Sequence, residues 1–210
     1  MKKIYIIVAL FVLCFATTNA QELSTSRSNF KGGLRVGMTT SQVSGDDLSG
    51  FHKVGAYCGG FANMPISSSG KWKLQLEMNF IMKGSQSRAR KVNEIAPTNR
   101  YMLHLFYTET PLLISYNIFK GCEVELGTGV NFLFSYIEKD LNGSYRGRPA
   151  FRLVEWPIIA GVNYLIKDHY GISIRFSQSI LPIRSPKWVF NRLVNKQFNT
   201  ALAFSFYYQF

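Results

Sequence analysis

Long apolar runs are missing from this 210-residue chain beyond its first twenty residues. That excludes a transmembrane helix there, because such a helix needs roughly 20 consecutive apolar residues. Histidine and cysteine are scarce, three of each, and scattered. His52, His104 and His169 approach no Cys or carboxylate at metal-ligand spacing, so no metal or other cofactor is expected. Gly127-Thr128-Gly129 lacks both the third glycine and the following helix that a dinucleotide-binding turn requires. Acidic residues are few, 12 against 24 basic ones. Such a balance suits partners rich in phosphate or carboxylate. Nucleic acid is not expected, since no stacking platform accompanies the charge.

What is present begins with a leader. Lys2 and Lys3 precede an apolar run from Ile4 to Ala16, and Thr18 and Ala20 sit at the small-residue positions before Gln21. This is the pattern of a secretory signal peptide, expected over residues 1–20. Leu13 before Cys14 is too large for a lipoprotein cleavage site. Removing Lys2 and Lys3 takes the formal charge from +12 to +10. Cys58 and Cys122 remain; export permits a disulfide, but they fall at different heights of the layout below, so free thiols are expected. Residues 21–29 read as a short polar leader and 30–210 as one folded domain.

The C-terminal stretch Phe198–Phe210 sets the class. Every second residue, Phe198, Thr200, Leu202, Phe204, Phe206, Tyr208 and Phe210, forms a mostly bulky apolar face. Asn199, Ala201, Ala203, Ser205, Tyr207 and Gln209 form the other, mostly small or polar. A strand sends alternate side chains to opposite faces. A closing strand whose bulky face meets lipid has this form in outer-membrane barrels.

Seven further runs alternate in the same way, giving eight in all. They start near Phe30, His52, Trp72, Tyr101, Val124, Val154 and Tyr170, and each is long enough for a tilted spanning strand of roughly 9–11 residues. Long and short connections alternate between them, as external loops and periplasmic turns do. Trp72, Tyr116, Tyr164, Tyr170, Tyr208 and Phe210 fall near the short-turn end, and Tyr136 and Trp156 near the other. Aromatic belts belong at those two heights. The expected fold is all-β, an eight-stranded antiparallel up-and-down transmembrane β-barrel in the outer membrane. A soluble barrel with apolar faces turned inward would leave the two belts without a cause.

Eight strands enclose a lumen that side chains fill. Counting from the short turns puts Arg35, Glu77 and Arg175 at mid-height, with Lys83, Glu109 and Glu155 above them. Buried charges need partners, so these six are expected to form an internal ion-pair network. Lys73 and Glu125 count to the short-turn mouth, where water would serve them, and Lys53 higher. Glu109-Thr110-Pro111-Leu112-Leu113 and Glu155-Trp156-Pro157-Ile158-Ile159 repeat one pattern, in which the proline predicts a bulge or break in the wall. The long loops carry Arg88, Arg90, Lys91, Arg184, Lys187 and Arg192, a set suited to anionic ligands such as the phosphates of lipopolysaccharide.

The segment Tyr107-Thr108-Glu109-Thr110-Pro111-Leu112-Leu113-Ile114-Ser115-Tyr116 resembles the Glu-x-Pro-Leu-Leu strand of the PorT-like small outer-membrane barrels. The early Gly33-Leu34-Arg35-Val36-Gly37 and the aromatic last strand share that resemblance. It implies an eight-stranded barrel similar to the membrane domain of OmpA, with some members associated with type IX secretion and gliding. It transfers no catalytic residue.

Two functions follow as expectations. One is a non-enzymatic structural or interaction barrel whose loops engage lipopolysaccharide or an envelope or secretion partner. The other is a barrel that modifies lipid or handles a small ligand, with His104 as its base. Nucleophilic catalysis needs a Ser or Cys held by an oriented base, and Leu105-Phe106 after His104 supply none.

Overall fold

The computed structural model describes residues 30–44, 50–86, 101–139, 151–184, 188–189, 192–193 and 196–210. Its strands are β1 (Lys31–Ser44), β2 (Lys53–Pro65), β3 (Trp72–Gln86), β4 (Met102–Phe119) and β5 (Cys122–Lys139). They continue with β6 (Val154–Glu155), β7 (Pro157–Leu165), β8 (Tyr170–Ser179), β9 (Trp188–Val189), β10 (Arg192–Leu193) and β11 (Phe198–Gln209). β9 and β10 form a separate small hairpin. β6 and β7 make one wall strand interrupted at Trp156, so the wall has eight strands. Each pairs antiparallel with its sequence neighbours, and β11 pairs with β1 from Ser44↔Phe198 to Gly33↔Gln209. That last pairing closes the sheet and leaves no edge strand exposed.

The alternation in the sequence becomes an inside-out amphipathic wall. On β1, Leu34, Val36 and Met38 are 61%, 62% and 59% exposed while Arg35 between them is 4% exposed. Phe204, Phe206 and Tyr208 repeat the pattern on β11 around the buried Ser205. A soluble fold would lose the burial energy of every outward row, about 25 cal/mol per Å² of apolar surface. In hydrocarbon those rows meet their own kind, and closure satisfies the backbone. Trp72 packs on Tyr116 at 4.7 Å, and Tyr208 on Tyr170 at 5.1 Å, at the short-turn end. The inward row of β2, with Lys53, Tyr57, Phe61 and Asn63, lies where its parity predicts.

The strands reach further than the alternation does. β1 runs to Ser44, well past Met38 where its clear alternation stops, and β5 runs to Lys139. Many inward residues toward that end are apolar: Val43, Tyr57, Ile81, Leu103, Leu105 and Tyr107 join Leu133, Phe151 and Ile183 in one buried cluster, with the polar Thr39 and Ser41 buried beside Val43 on β1. Where the inward row turns apolar as the outward one is, or where both rows turn mostly polar as over residues 39–44 of β1, the period-two signal fades although the strand continues. Ile81, which seems to break the pattern of β3, is inward and in register.

The two prolines behave differently from one another. β7 begins at Pro157 after the interruption at Trp156, so that break is present. At Pro111 there is no bulge: β4 passes through it in register with β5, and the shifts fall at Phe106/Tyr107 and Asn117/Phe119. The β3–β4 ladder lapses instead, with Leu76 opposite Leu112 and Asn79 opposite Glu109 but no pairing between. A lapse of two residues accommodates the missing N–H donor without an extra residue.

Candidate functional site

The lumen is organised by Arg175 on β8. Its Nη1 donates to Glu77 Oε2 at 2.6 Å and to the Tyr57 hydroxyl at 3.1 Å. Nη2 donates to Glu77 Oε1 and to Glu125 Oε2, each at 2.8 Å, and Nε donates to Glu125 Oε1. All five guanidinium hydrogens are thereby used, the full donor capacity of an arginine. Arg35 Nη2 adds a second cation to Glu77 Oε1 at 2.9 Å. Asn79 Nδ2 donates to Glu77 Oε2 at 2.7 Å, and Gln75 Nε2 donates to Oε1. Two cations thus face two carboxylates, in fork geometry that a lysine would not reproduce.

Glu125 belongs to this middle tier rather than to the mouth, where residue counting puts it. Gly161 explains how it gets there. It sits directly between Glu125 on β5 and Arg175 on β8 in the registers of both ladders. A Cβ on Gly161 would lie 2.6 Å from Glu125 Oε1 and 2.9 Å from Arg175 Cγ, so the missing side chain is the space through which the pair meets. Lys73, by contrast, does lie at the mouth, in an ion pair with Glu123 that counting did not single out.

Above the arginine, Lys83 Nζ lies 2.9 Å from Glu155 Oε1 and 3.8 Å from Glu109 Oε1. Asn199 Nδ2 donates to Glu155 Oε2 at 2.9 Å. Glu109, Asn131 and Glu155 stand side by side on three successive wall strands, each pair in direct register. Lys53, also buried, donates to the Val54 carbonyl at 2.8 Å. The structure therefore gathers Arg35, Glu77 and Arg175 in one tier and Lys83, Glu109 and Glu155 in the next.

The outer end is closed by the apolar cluster and a strap of loop residues. Arg152 N donates to Ile183 O, and Ile183 N to Gln197 O, both at 2.8 Å. Arg184 is a correction to the sequence reading. Grouped there with solvent-facing loop cations, it is 1% exposed, pairs with Glu138 Oε2 at 3.0 Å, and stacks over the Phe151 ring at 3.8 Å. Tyr101 donates to the same Glu138 at 2.8 Å. A loop has no alternation to reveal which residues turn inward, so Arg184 carried no signal, and Glu138, expected at the start of the third long loop, lies instead near the end of β5.

Of the remaining loop cations, Arg88, Arg90, Lys91 and Lys187 lie outside the described residues, and of Arg192 the strand β10 alone is described. His104 stands on the outward row of β4 with its ring stacked on Phe106 at 6.2 Å, away from the lumen. Among the described residues no three His, Cys, Asp or Glu side chains gather as metal ligands. Cys58 and Cys122 are both free thiols.

A model of the outer membrane protein beta-barrel domain matches residues 19–184 of the sequence. No curated protein matches it. Among solved structures, Ail of Yersinia pestis, in complex with the heparin analogue sucrose octasulfate, is similar with a TM-score of 0.49. Identity is 11%, over 87% of this chain and 99% of that one. Neisserial surface protein A gives 0.49 at 11% identity, covering 87% and 98%. OprG from Pseudomonas aeruginosa gives 0.48 at 13% identity, covering 87% and 97%.

Proposed function

Taking as premise that this chain belongs to the outer membrane protein beta-barrel domain family, we propose that it is a non-conducting, non-enzymatic barrel that serves the envelope through its outer surfaces. The observation that carries this is the filling of the lumen. Arg175 spans it to Glu77, Lys83 and Glu155 pair above, and Phe151, Ile183 and Arg184 seal the outer end. Charges buried and paired in this way act as struts. Unpairing one to admit an ion would cost several kcal/mol.

The working surface is then the set of external loops, as it is wherever a rigid scaffold displays variable connections. Arg88, Arg90, Lys91, Lys187 and Arg192 are the cations we assign to lipopolysaccharide phosphates or an acidic envelope partner. Arg184 is withdrawn from that set, since its charge is committed to Glu138. Within the family, the Glu109-Thr110-Pro111-Leu112-Leu113 strand supports a place among the PorT-like barrels, and with it a secretion-associated role.

The test has two arms. In planar bilayers the purified protein should give no steady unit conductance; a regular open channel would overturn the strut reading. Lipopolysaccharide should co-purify with the wild type and be depleted when the five loop cations are replaced by serine. Equal retention would remove the loop assignment. His104→Ala should leave the lipid A profile unchanged, and an altered profile would favour lipid chemistry instead.

A further inference from the structure

The three short connections and the start of β1 repeat one arrangement. Phe30-Lys31, Phe119-Lys120 and Ile166-Lys167 each set a large apolar residue directly before a lysine. In the longer β2–β3 connection, Ile66 and Lys71 supply the same two groups. Phe30, Ile66, Phe119 and Ile166 are each more than half exposed, and the four lysines are exposed as well. An eight-stranded wall thus carries one such pair for every two strands, spaced around its whole short-turn rim.

Backbone hydrogen bonds fix these points relative to one another. Asn117 N donates to the Lys71 carbonyl at 2.8 Å, and Leu165 N to the Gly121 carbonyl at 2.7 Å. Gln209 N donates to the His169 carbonyl at 2.8 Å, and Phe210 N to the Gly32 carbonyl at 2.9 Å. Each connection is tied to a strand beside it and the last strand to the first, so the rim is a closed collar. Its charge is of one sign. Among the described residues the rim's acidic side chains are Asp168 and Glu123, and Glu123 is taken by Lys73. None of the four exposed lysines ion-pairs with another described residue.

A large apolar side chain on a turn loses by standing in water, and an ammonium loses by entering hydrocarbon. Both are satisfied where acyl chains meet headgroups, with the lysine stem lying along the apolar layer and its charge above it. A surplus of cations at that height also selects among headgroups, favouring those with net negative charge. We propose that the collar binds anionic phospholipids of the leaflet on the short-turn, periplasmic side, one headgroup phosphate to each of Lys31, Lys71, Lys120 and Lys167. A folded acidic partner would need the cations gathered on one face, whereas a leaflet surrounds the barrel as the collar does. This is the face opposite the external loops, and its lipid preference does not depend on what those loops hold.

The experiment uses the whole protein folded into phosphatidylcholine vesicles, with spin-labelled lipids reporting which headgroups are held at its surface. Phosphatidylglycerol should be held in preference to phosphatidylcholine, and about 1 M salt should abolish the preference, since the screening length is then about 3 Å. The variant with serine at the five loop cations should retain a preference. Adding Lys31→Gln, Lys71→Gln, Lys120→Gln and Lys167→Gln to it should weaken phosphatidylglycerol association by about fivefold at each collar position. Arginine at the same four positions should keep it. Heat-modifiable mobility checks folding, and single substitutions stand in should the combined variant fail. A preference that glutamine leaves unchanged, or that arginine loses equally, would overturn the proposal. So would a preference lost with the loop cations alone, which leaves the loop assignment standing, or capture of an acidic protein at the rim with no preference among lipids.

Discussion

Arg175 and Glu77 stand on diametrically opposite wall strands, β8 and β3, and are joined across the lumen by two hydrogen bonds of 2.6 and 2.8 Å. Neither strand touches the other through its backbone. The pair is a crossbar, fixing the diameter of the barrel at mid-height as the ladders fix its circumference. Arg35 and Glu125 brace the crossbar from two further strands, so four of the eight wall strands meet at one charged node.

Glu77→Gln should therefore be the most damaging conservative change in the lumen. It keeps the size and leaves Arg35 and Arg175 with Glu125 as the one carboxylate remaining in that tier. Breaking a buried pair from one side costs about 3–5 kcal/mol. In urea titrations of the protein folded into lipid vesicles, the midpoint should fall accordingly. An unchanged midpoint, with unchanged heat-modifiable gel mobility, would show that the node bears no load.

The tier above makes a contrast within one pattern. Glu155 has Lys83 at 2.9 Å and Asn199 at 2.9 Å, whereas Glu109 has the same ammonium at 3.8 Å. Glu155→Gln should cost about 3–5 kcal/mol, since it strips Lys83 of its close partner. Glu109→Gln should cost less than about 1 kcal/mol, because it removes one of two carboxylates competing for one cation. Equal losses in the same urea titration would contradict the geometry.

Gly161 offers a test of how the middle tier is assembled. Gly161→Val would drive a branched side chain between Glu125 Oε1 and Arg175 Cγ, now separated by nothing else. Overpacking of this kind typically costs about 1–3 kcal/mol, and the severed Arg175–Glu125 pair adds to it. In a Glu125→Gln background the further loss from Gly161→Val should shrink, because part of what the valine disrupts is already gone. Strict additivity of the two changes would place the glycine's role elsewhere.

The sequence announces the wall more plainly than the lumen. Wherever an inward row is polar, as in Lys73-Gln75-Glu77-Asn79, parity alone tells inside from outside, and β2 follows from Lys53 and Asn63 despite the inward aromatics Tyr57 and Phe61. Heights are harder to read. Tilted strands are staggered around a barrel, so equal counts from the turns do not give equal depths, and Glu125 sits deeper than its count suggests. The outer cap is invisible for a different reason. Arg184 owes its burial to Glu138 and Phe151, partners from distant parts of the chain that no local period links to it.

The two thiols report on the membrane itself. Cys58 sits in mid-strand on the outward face, opposite Val36 and Phe80, and Cys122 opens β5 beside the short turn at Gly121. Thiol chemistry runs through the thiolate, which water supports and hydrocarbon does not. With the protein folded in vesicles, a charged maleimide that has access to the short-turn side should label Cys122 and leave Cys58 unmodified. Unfolding in urea should then expose Cys58 to the same reagent. Rapid labelling of Cys58 in the folded, membrane-inserted protein would mean that β2 turns this face to water, and the inside-out arrangement of the whole wall would fail with it.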